Sequence, residues 1–308
     1  MREIQKAALI GLGGIGCAYA SRIMDTEPRL LQVVAAAKRA ARWQQGLQIN
    51  GRHYQFTLTS PHGPAEPLDL ILVAVKHYQL PQAILDLQRF VGPETIILSL
   101  LNGISSEETL AASFGWEHVL YGLCLSVDAV REGNKIEFSR AGKVYFGESR
   151  NEHYSPRVEA VQRFFRRCQI PHEVPLDMRR QQWWKFMINV GLNQLSGVLR
   201  APYGVFQQLP EAAALMQAAM AEVVTLAQAL GIDLSSTEIE DFMQQFQTWP
   251  AAGKTSLLQD VEAGRKTEVE MFAGEVCRLG RQANVATPIN QMLLFLIQTK
   301  EKMAQLRC

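Results

Sequence analysis

Three side chains able to handle protons and hydrogen bonds recur at intervals of four in KFMINVGLNQ (residues 185–194): Lys185, Asn189 and Asn193. On a helix that spacing sets them along one slowly drifting stripe. Phe186, Met187, Ile188, Val190 and Leu192 surround it with the pattern of a helix core. A buried polar group without a partner costs about 1–3 kcal/mol, so these three need solvent, neighbouring backbone or a ligand. A positioned ammonium can stabilise charge growing on an oxygen and supply its proton, while amides can hold small polar groups in a partly dry cleft. Further on, KTSLLQDVEAGRKTEVE (residues 254–270) carries Ser256, Asp260 and Glu268 across Gly264. The glycine predicts a broken helix whose second part redirects Thr267-Glu268; the plainer alternative is an N-cap at Ser256 followed by a solvent-facing charged turn.

A second kind of chemistry is written near the start, in GLGGIG: Gly11, Leu12, Gly13, Gly14, Ile15 and Gly16. The pattern G-x-G-x-x-G alone is weak, but here it follows the first apolar strand and opens the first helix. Gly11 would make the tight turn, Gly13 would admit a pyrophosphate close to backbone, and Gly16 would let helix and strand pack. The phosphates would lie on the helix N-terminus. A nicotinamide dinucleotide without a 2′-phosphate usually meets an Asp or Glu about twenty residues on. No carboxylate occurs between Glu27 and Glu66; the second strand runs into Lys38-Arg39 instead. Those cations favour NADP, bound as NADPH, over the alternative that they are solvated first-turn charges of the next helix. Lys76, ending the strand in DLILVAVK, and Asn102-Gly103, ending the next one in LLNG, fall at equivalent edges of a parallel sheet. That edge faces the ligand crevice in such folds.

These groups need a scaffold. Strand patterns at 6–11, 30–37, 69–75, 95–100 and 118–127 alternate with helical patterns at 14–25, 79–89 and 106–113. The alternation predicts an α/β, Rossmann-type doubly wound parallel sheet. A β-hairpin is expected over 135–147, a helix over 156–167 and a short strand over 168–174. Beyond Pro175 only helical periodicity remains, over 177–199, 211–230, 236–247, 256–283 with a break, and 288–306, where Thr287-Pro288 gives a start signal. We therefore expect a cofactor-binding domain over 1–172 and an all-helical domain over 173–308.

Composition narrows the partners. The net charge of +1 gives no electrostatic case for nucleic acid or an anionic membrane. The apolar stretch 211–231 is broken by Glu211, Gln217, Glu222 and Gln228 and reads as a buried soluble helix. Arg2, Lys6 and the apolar run after them imitate a secretory leader, but the glycines argue against its helical segment. Five scattered cysteines (17, 124, 168, 277, 308) form neither a disulfide framework nor a metal site and suit a reducing cytoplasm.

In their order along the chain, GLGGIG, VKHYQ, LNG, K-x-x-x-N-x-x-x-N, SLLQD and TE resemble the ketopantoate reductase (2-dehydropantoate 2-reductase) family. The resemblance spans nearly the whole chain and implies a Rossmann domain followed by a helical domain like the C-terminal part of 6-phosphogluconate dehydrogenase. It implies NADPH-dependent reduction of 2-dehydropantoate to (R)-pantoate, toward pantothenate and coenzyme A, with no metal. Lys185 matches the general acid, and Glu268 the carboxylate that partners it, binds near the substrate hydroxyl and adjoins the cofactor. Asn189, Asn193 and Ser256 match substrate-holding residues, Asn102 matches the position that orients substrate and cofactor, and Lys76 matches the family's lysine near the cofactor. A homodimer is a further expectation. Two features depart from the family: Gln194 stands where many relatives have proline, and Lys38-Arg39 does not align cleanly with the usual arginine. A D-2-hydroxyacid dehydrogenase acting on another 2-oxoacid, or a non-catalytic NADP sensor, are the competing readings; Lys185 and Glu268 together argue against the sensor.

Overall fold

The computed structural model describes residues 3–127 and 129–306; Arg2 and Cys308 lie outside them. The chain divides into two compact units, Met1–Arg179 and Arg180–Cys308.

The first unit holds strands β1 (Ala7–Ile10), β2 (Leu31–Val34), β3 (Leu47–Ile49), β4 (Arg52–Tyr54), β5 (Thr57–Thr59), β6 (Leu70–Val73), β7 (Ile96–Ser99), β8 (Val119–Val127), β9 (Val130–Glu132), β10 (Lys135–Glu137), β11 (Ala141–Gly147) and β12 (His172–Glu173). Its helices are α1 (Gly14–Thr26), α2 (Ala37–Trp43), α3 (Leu80–Leu87), α4 (Ser106–Phe114) and α5 (Pro156–Arg167). Eight strands form one sheet in the order β12-β11-β8-β7-β6-β1-β2-β5, parallel from β5 through β8. Every residue of β1, β6 and β7 is buried, as expected of parallel strands covered on both faces. Alternation sorts them: Ala7, Leu9, Leu70 and Leu72 enter one core with Tyr19, Ile23 and Phe165, while Ala8, Ile10, Ile71 and Val73 enter the other with Ile84, Leu87 and Leu110. The sheet grows outward from β1 in both directions, toward β2 and toward β6, so the carboxyl ends of β1 and β6 flank a topological switch point.

Two expectations need correction. Residues 135–147 do not form one hairpin: β10 pairs with β9 across Gly133 (φ +59°) and with β3 in a separate four-stranded sheet, whereas β11 joins β8 in the main sheet. Strands do occupy both ends of that segment, but pairing is set by distant partners. The second strand stops at Val34, and Lys38 and Arg39 lie in the first turn of α2. β12 pairs with β11, which keeps residues 172–173 in the first unit.

The second unit contains α6 (Met178–Ile188, beginning just before it), α7 (Gln194–Leu199), α8 (Tyr203–Gln208), α9 (Pro210–Ala229), α10 (Thr237–Phe246), α11 (Ser256–Glu262), α12 (Glu275–Ala283) and α13 (Pro288–Leu306). α6 and α7 are one run interrupted by a π turn at Asn189–Asn193. A second π turn, Glu270–Gly274, leads into α12. Residues 263–269 break the helical path, with Gly264 at φ +62° as its pivot. α9 is long and apolar enough to cross a membrane by length and composition; here Met216, Met220, Val223 and Ala227 are buried. A Cβ on Gly191 would come within 2.5 Å of the Met220 side chain, so the bare glycine lets α9 close on the first π turn.

Candidate functional site

In the first unit, backbone shape makes the site. Gly11 has φ +105°, and a Cβ there would lie 2.5 Å from the Ala74 carbonyl oxygen. A Cβ on Gly16 would run into the Gly11 carbonyl. Gly13 differs: a Cβ there meets only the Ala74 oxygen, at 4.0 Å, which leaves open space where the pattern asks for a phosphate. α1 starts without a side-chain cap and without an acidic residue in its first turn. Its first N–H groups are thus available to an anion; within the same pattern Leu12 is buried and Gly14 and Ile15 are half-buried.

Arg131, which the sequence reading passed over, adds a cation beside this loop. Its Nη1 donates to the Leu12 carbonyl at 2.5 Å and its Nε to the Gly133 carbonyl at 2.9 Å. No short-range signal marked it, because β9 arrives from 119 positions away. Cys17, in the first turn of α1, has its thiol pushed up to about 12 by burial, with the Arg131 charge pulling the other way. A helix N-terminus alone would lower it; burial wins.

In the first turn of α2, Lys38 is exposed and Arg39 half-buried, and neither makes an ion pair among the described residues. Lys76 is half-buried just past β6, and its backbone N–H donates to Gln79 Oε1 at 3.3 Å. That bond gives the spacing in VKHYQ a local purpose, since the glutamine pins the turn presenting the lysine. Asn102 is half-buried in the loop after β7, beside Gly103 at φ +88°. Beneath the loop, Ser99 Oγ lies 2.8 Å from Ser106 Oγ, which donates to Glu107 Oε2 at 2.9 Å. The other Glu107 oxygen accepts the Gly122 N–H at 3.2 Å, tying the loop's base to β8.

In the second unit, side chains make the candidate site. Lys185 sits half-buried near the end of α6, with Phe186, Met187 and Ile188 buried beside it. Asn193 is buried, and its Nδ2 reaches Asn189 Oδ1 only at 3.5 Å, the outer edge of a hydrogen bond. Asn189 Nδ2 is buried with no hydrogen-bond partner among the described residues. Neither solvent nor backbone therefore satisfies the Asn189 amide nitrogen, and the π turn, a feature that often marks functional sites, replaces the regular helix expected there.

Ser256 is exposed and is the first residue of α11, not its cap. Thr255 takes the cap, accepting the Leu258 N–H at 3.1 Å, because its β-region backbone aims the hydroxyl at that donor. Asp260 is buried and pairs with Arg265 at 2.8 Å, closing the Gly264 turn, which makes it a structural member of SLLQD. Glu268 is buried after that turn. Its neighbour Thr267 is held through N–H and hydroxyl by Glu301 Oε1, at 2.7 and 2.6 Å. Glu301 belongs to α13 and had no signal in the sequence. Among the described residues no cluster of His, Cys, Asp and Glu gathers as a metal would require.

Comparison with known proteins agrees with both halves. The family described as ketopantoate reductase PanE/ApbA matches residues 7–151, and its C-terminal counterpart matches residues 177–301. The chain belongs to the ketopantoate reductase family. Among curated relatives of this family, the 2-dehydropantoate 2-reductase of Halobacterium salinarum is 26% identical over 84% of this chain and 86% of its own length. A dimeric ketopantoate reductase from Staphylococcus aureus superposes with a TM-score of 0.81 at 19% identity, over 97% of this chain and 99% of that one. A D-mandelate dehydrogenase solved with NADH and anilino(oxo)acetate gives 0.87 at 19% identity, with the same coverage. The fold is thus shared by ketopantoate reductases and a related 2-hydroxyacid dehydrogenase, and the family is one of oxidoreductases.

Proposed function

We propose that this family member reduces 2-dehydropantoate to (R)-pantoate with NADPH, in pantothenate and coenzyme A biosynthesis. The observation that carries the reading is the buried, unsatisfied Asn189 amide on the same stripe as Lys185 and Asn193. A native protein rarely buries such a donor without a use. Gly11 to Gly16 with Lys76 would hold the dinucleotide, and Lys38 and Arg39 its 2′-phosphate. The bound nicotinamide would supply hydride to the substrate carbonyl carbon.

The remaining steps belong to the chain. The Lys185 ammonium stabilises negative charge on the carbonyl oxygen and delivers a proton to it. Asn189, Asn193 and Ser256 hold hydroxyl and carboxylate groups, Glu268 accepts from the substrate hydroxyl region and partners the lysine, and Asn102 orients both reactants. Free, buried Cys17, Cys124, Cys168 and Cys277 are compatible with a cytoplasmic setting. α13 exposes Met292, Phe295, Leu296 and Met303 at helical spacing, an apolar stripe suited to a second copy in a homodimer.

NADPH consumption against a panel of branched, linear and aromatic 2-oxoacids tests the reading. Turnover should be highest with 2-dehydropantoate. The likeness to D-mandelate dehydrogenase supports the second reading, reduction of another 2-oxoacid, and preference for an aromatic acid would establish it instead.

A further inference from the structure

Both π turns leave backbone groups without their usual helical partners, and one buried side chain serves both. In the second turn the Gly274 N–H reaches back to the Val269 carbonyl at 3.1 Å, five residues away. That takes the carbonyl which Ala273 would use in a regular helix. The Ala273 N–H donates instead to Gln194 Oε1 at 3.0 Å. Across the same amide, Gln194 Nε2 donates to the Val190 carbonyl, inside the first π turn, at 2.8 Å. The second Nε2 hydrogen goes to Asn290 Oδ1 at 3.1 Å.

Gln194 and Asn290 are both fully buried. Asn290 Nδ2 donates to Glu222 Oε2 at 2.7 Å and to the Ala219 carbonyl at 3.2 Å. Glu222 in turn accepts the N–H groups of Ile289 and Asn290, at 2.7 and 3.0 Å, at the start of α13. The network is therefore satisfied at every member and anchored in α9 and α13. Proline at position 194 could form none of the side-chain bonds.

We propose that Gln194 is a positioning residue that locks the two π turns into one unit. One turn carries Asn189 and Asn193, and the other begins two residues after Glu268, so the coupling fixes the substrate-holding set as a whole. This assignment of purpose rests on the function proposed above; the coupling itself does not. Gln194 touches no reacting atom in this account and acts through the backbone of Val190 and Ala273.

Native-state hydrogen exchange of the wild-type chain tests the coupling without any substrate. Amides in 189–193 and 270–274 should open together, with the same dependence on denaturant; separate openings would overturn the proposal. Gln194→Met, similar in shape but unable to bond, should raise exchange in both segments. Gln194→Glu keeps the acceptor for Ala273 and loses both donors, so it should loosen 189–193 more than 270–274. In the Met variant KM for 2-dehydropantoate should rise about tenfold or more with a smaller change in kcat, from misplaced polar contacts. NADPH affinity should stay unchanged, and the Glu variant should recover part of the KM loss. Unchanged KM in a folded Met variant whose segments do loosen would remove the positioning role. A wild-type chain inactive on every 2-oxoacid would instead fail the proposed function and leave the exchange result standing.

Discussion

Under the proposed function the two units would hold a ligand in opposite ways. Around the glycine loop the binding groups are backbone N–H donors, and side chains matter mostly by being absent, as at Gly13 and Gly16. In the helical unit the backbone is withdrawn into helices, so under the proposed function the work would fall to Lys185, Asn189, Asn193 and Glu268, two of them carried by a π turn. A backbone site should tolerate little added bulk yet lose little when one surface charge goes. A side-chain site should do the reverse.

The sharpest break would come at Lys185. Lys185→Ala should lower kcat by about 10²–10⁴-fold, the usual contribution of a positioned general acid, while NADPH affinity stays nearly constant. A folded variant losing less than about tenfold lies outside that range and would remove the lysine from its role.

The first unit should answer to bulk. Gly16→Ala forces a Cβ against the Gly11 carbonyl, and overpacking of this kind costs about 1–3 kcal/mol. We expect dinucleotide affinity, measured by fluorescence titration, to fall by about tenfold or more on that scale, with melting temperature lowered too. Affinity unchanged in the variant would mean the loop does not need its glycine.

Charge at the 2′-phosphate comes next in size. Lys38 is exposed, so solvent screens it and each such contact is worth little more than about 1 kcal/mol. Lys38→Ala/Arg39→Ala should therefore narrow the preference for NADPH over NADH by about tenfold rather than abolish binding. A preference unchanged by the double substitution would place the phosphate elsewhere.

The smallest expected effect is at Cys17. With its thiol pushed up to about 12 by burial, the native chain should leave this cysteine unalkylated at mildly alkaline pH, and denaturation should expose it. Rapid native alkylation, read by mass spectrometry, would mean the helix N-terminus outweighs burial.

The same contrast governs what the sequence disclosed. The glycine loop was legible because its requirement is local: a positive φ at Gly11 and a close approach at Gly16 each demand glycine regardless of the rest. The apolar runs of β1, β6 and β7 were legible for the same reason, while the pairing of β10 with β3 was not, since it joins segments 87 residues apart, from Gln48 to Lys135. In the helical unit the spacing of Lys185, Asn189 and Asn193 announced a stripe. Its π turn did not show, because a π turn depends on partners such as Gln194, Asn290 and Ala273, which meet only in the folded unit. Thr255 displaced Ser256 as the cap because two adjacent hydroxyl residues compete for the position and backbone geometry decides.

The most direct test of the account is the ratio of kcat/KM for 2-dehydropantoate to that for the analogue lacking its terminal hydroxyl. A site built to bond that hydroxyl leaves polar groups unpaired when it is missing and discriminates by up to about 10⁴-fold, whereas an apolar pocket gains only about 1–3 kcal/mol from one methylene. The account predicts a ratio of about 10² or more, shrinking in Glu268→Ala rather than falling equally for both substrates. A ratio near one, or faster turnover of the deoxy acid, would contradict it.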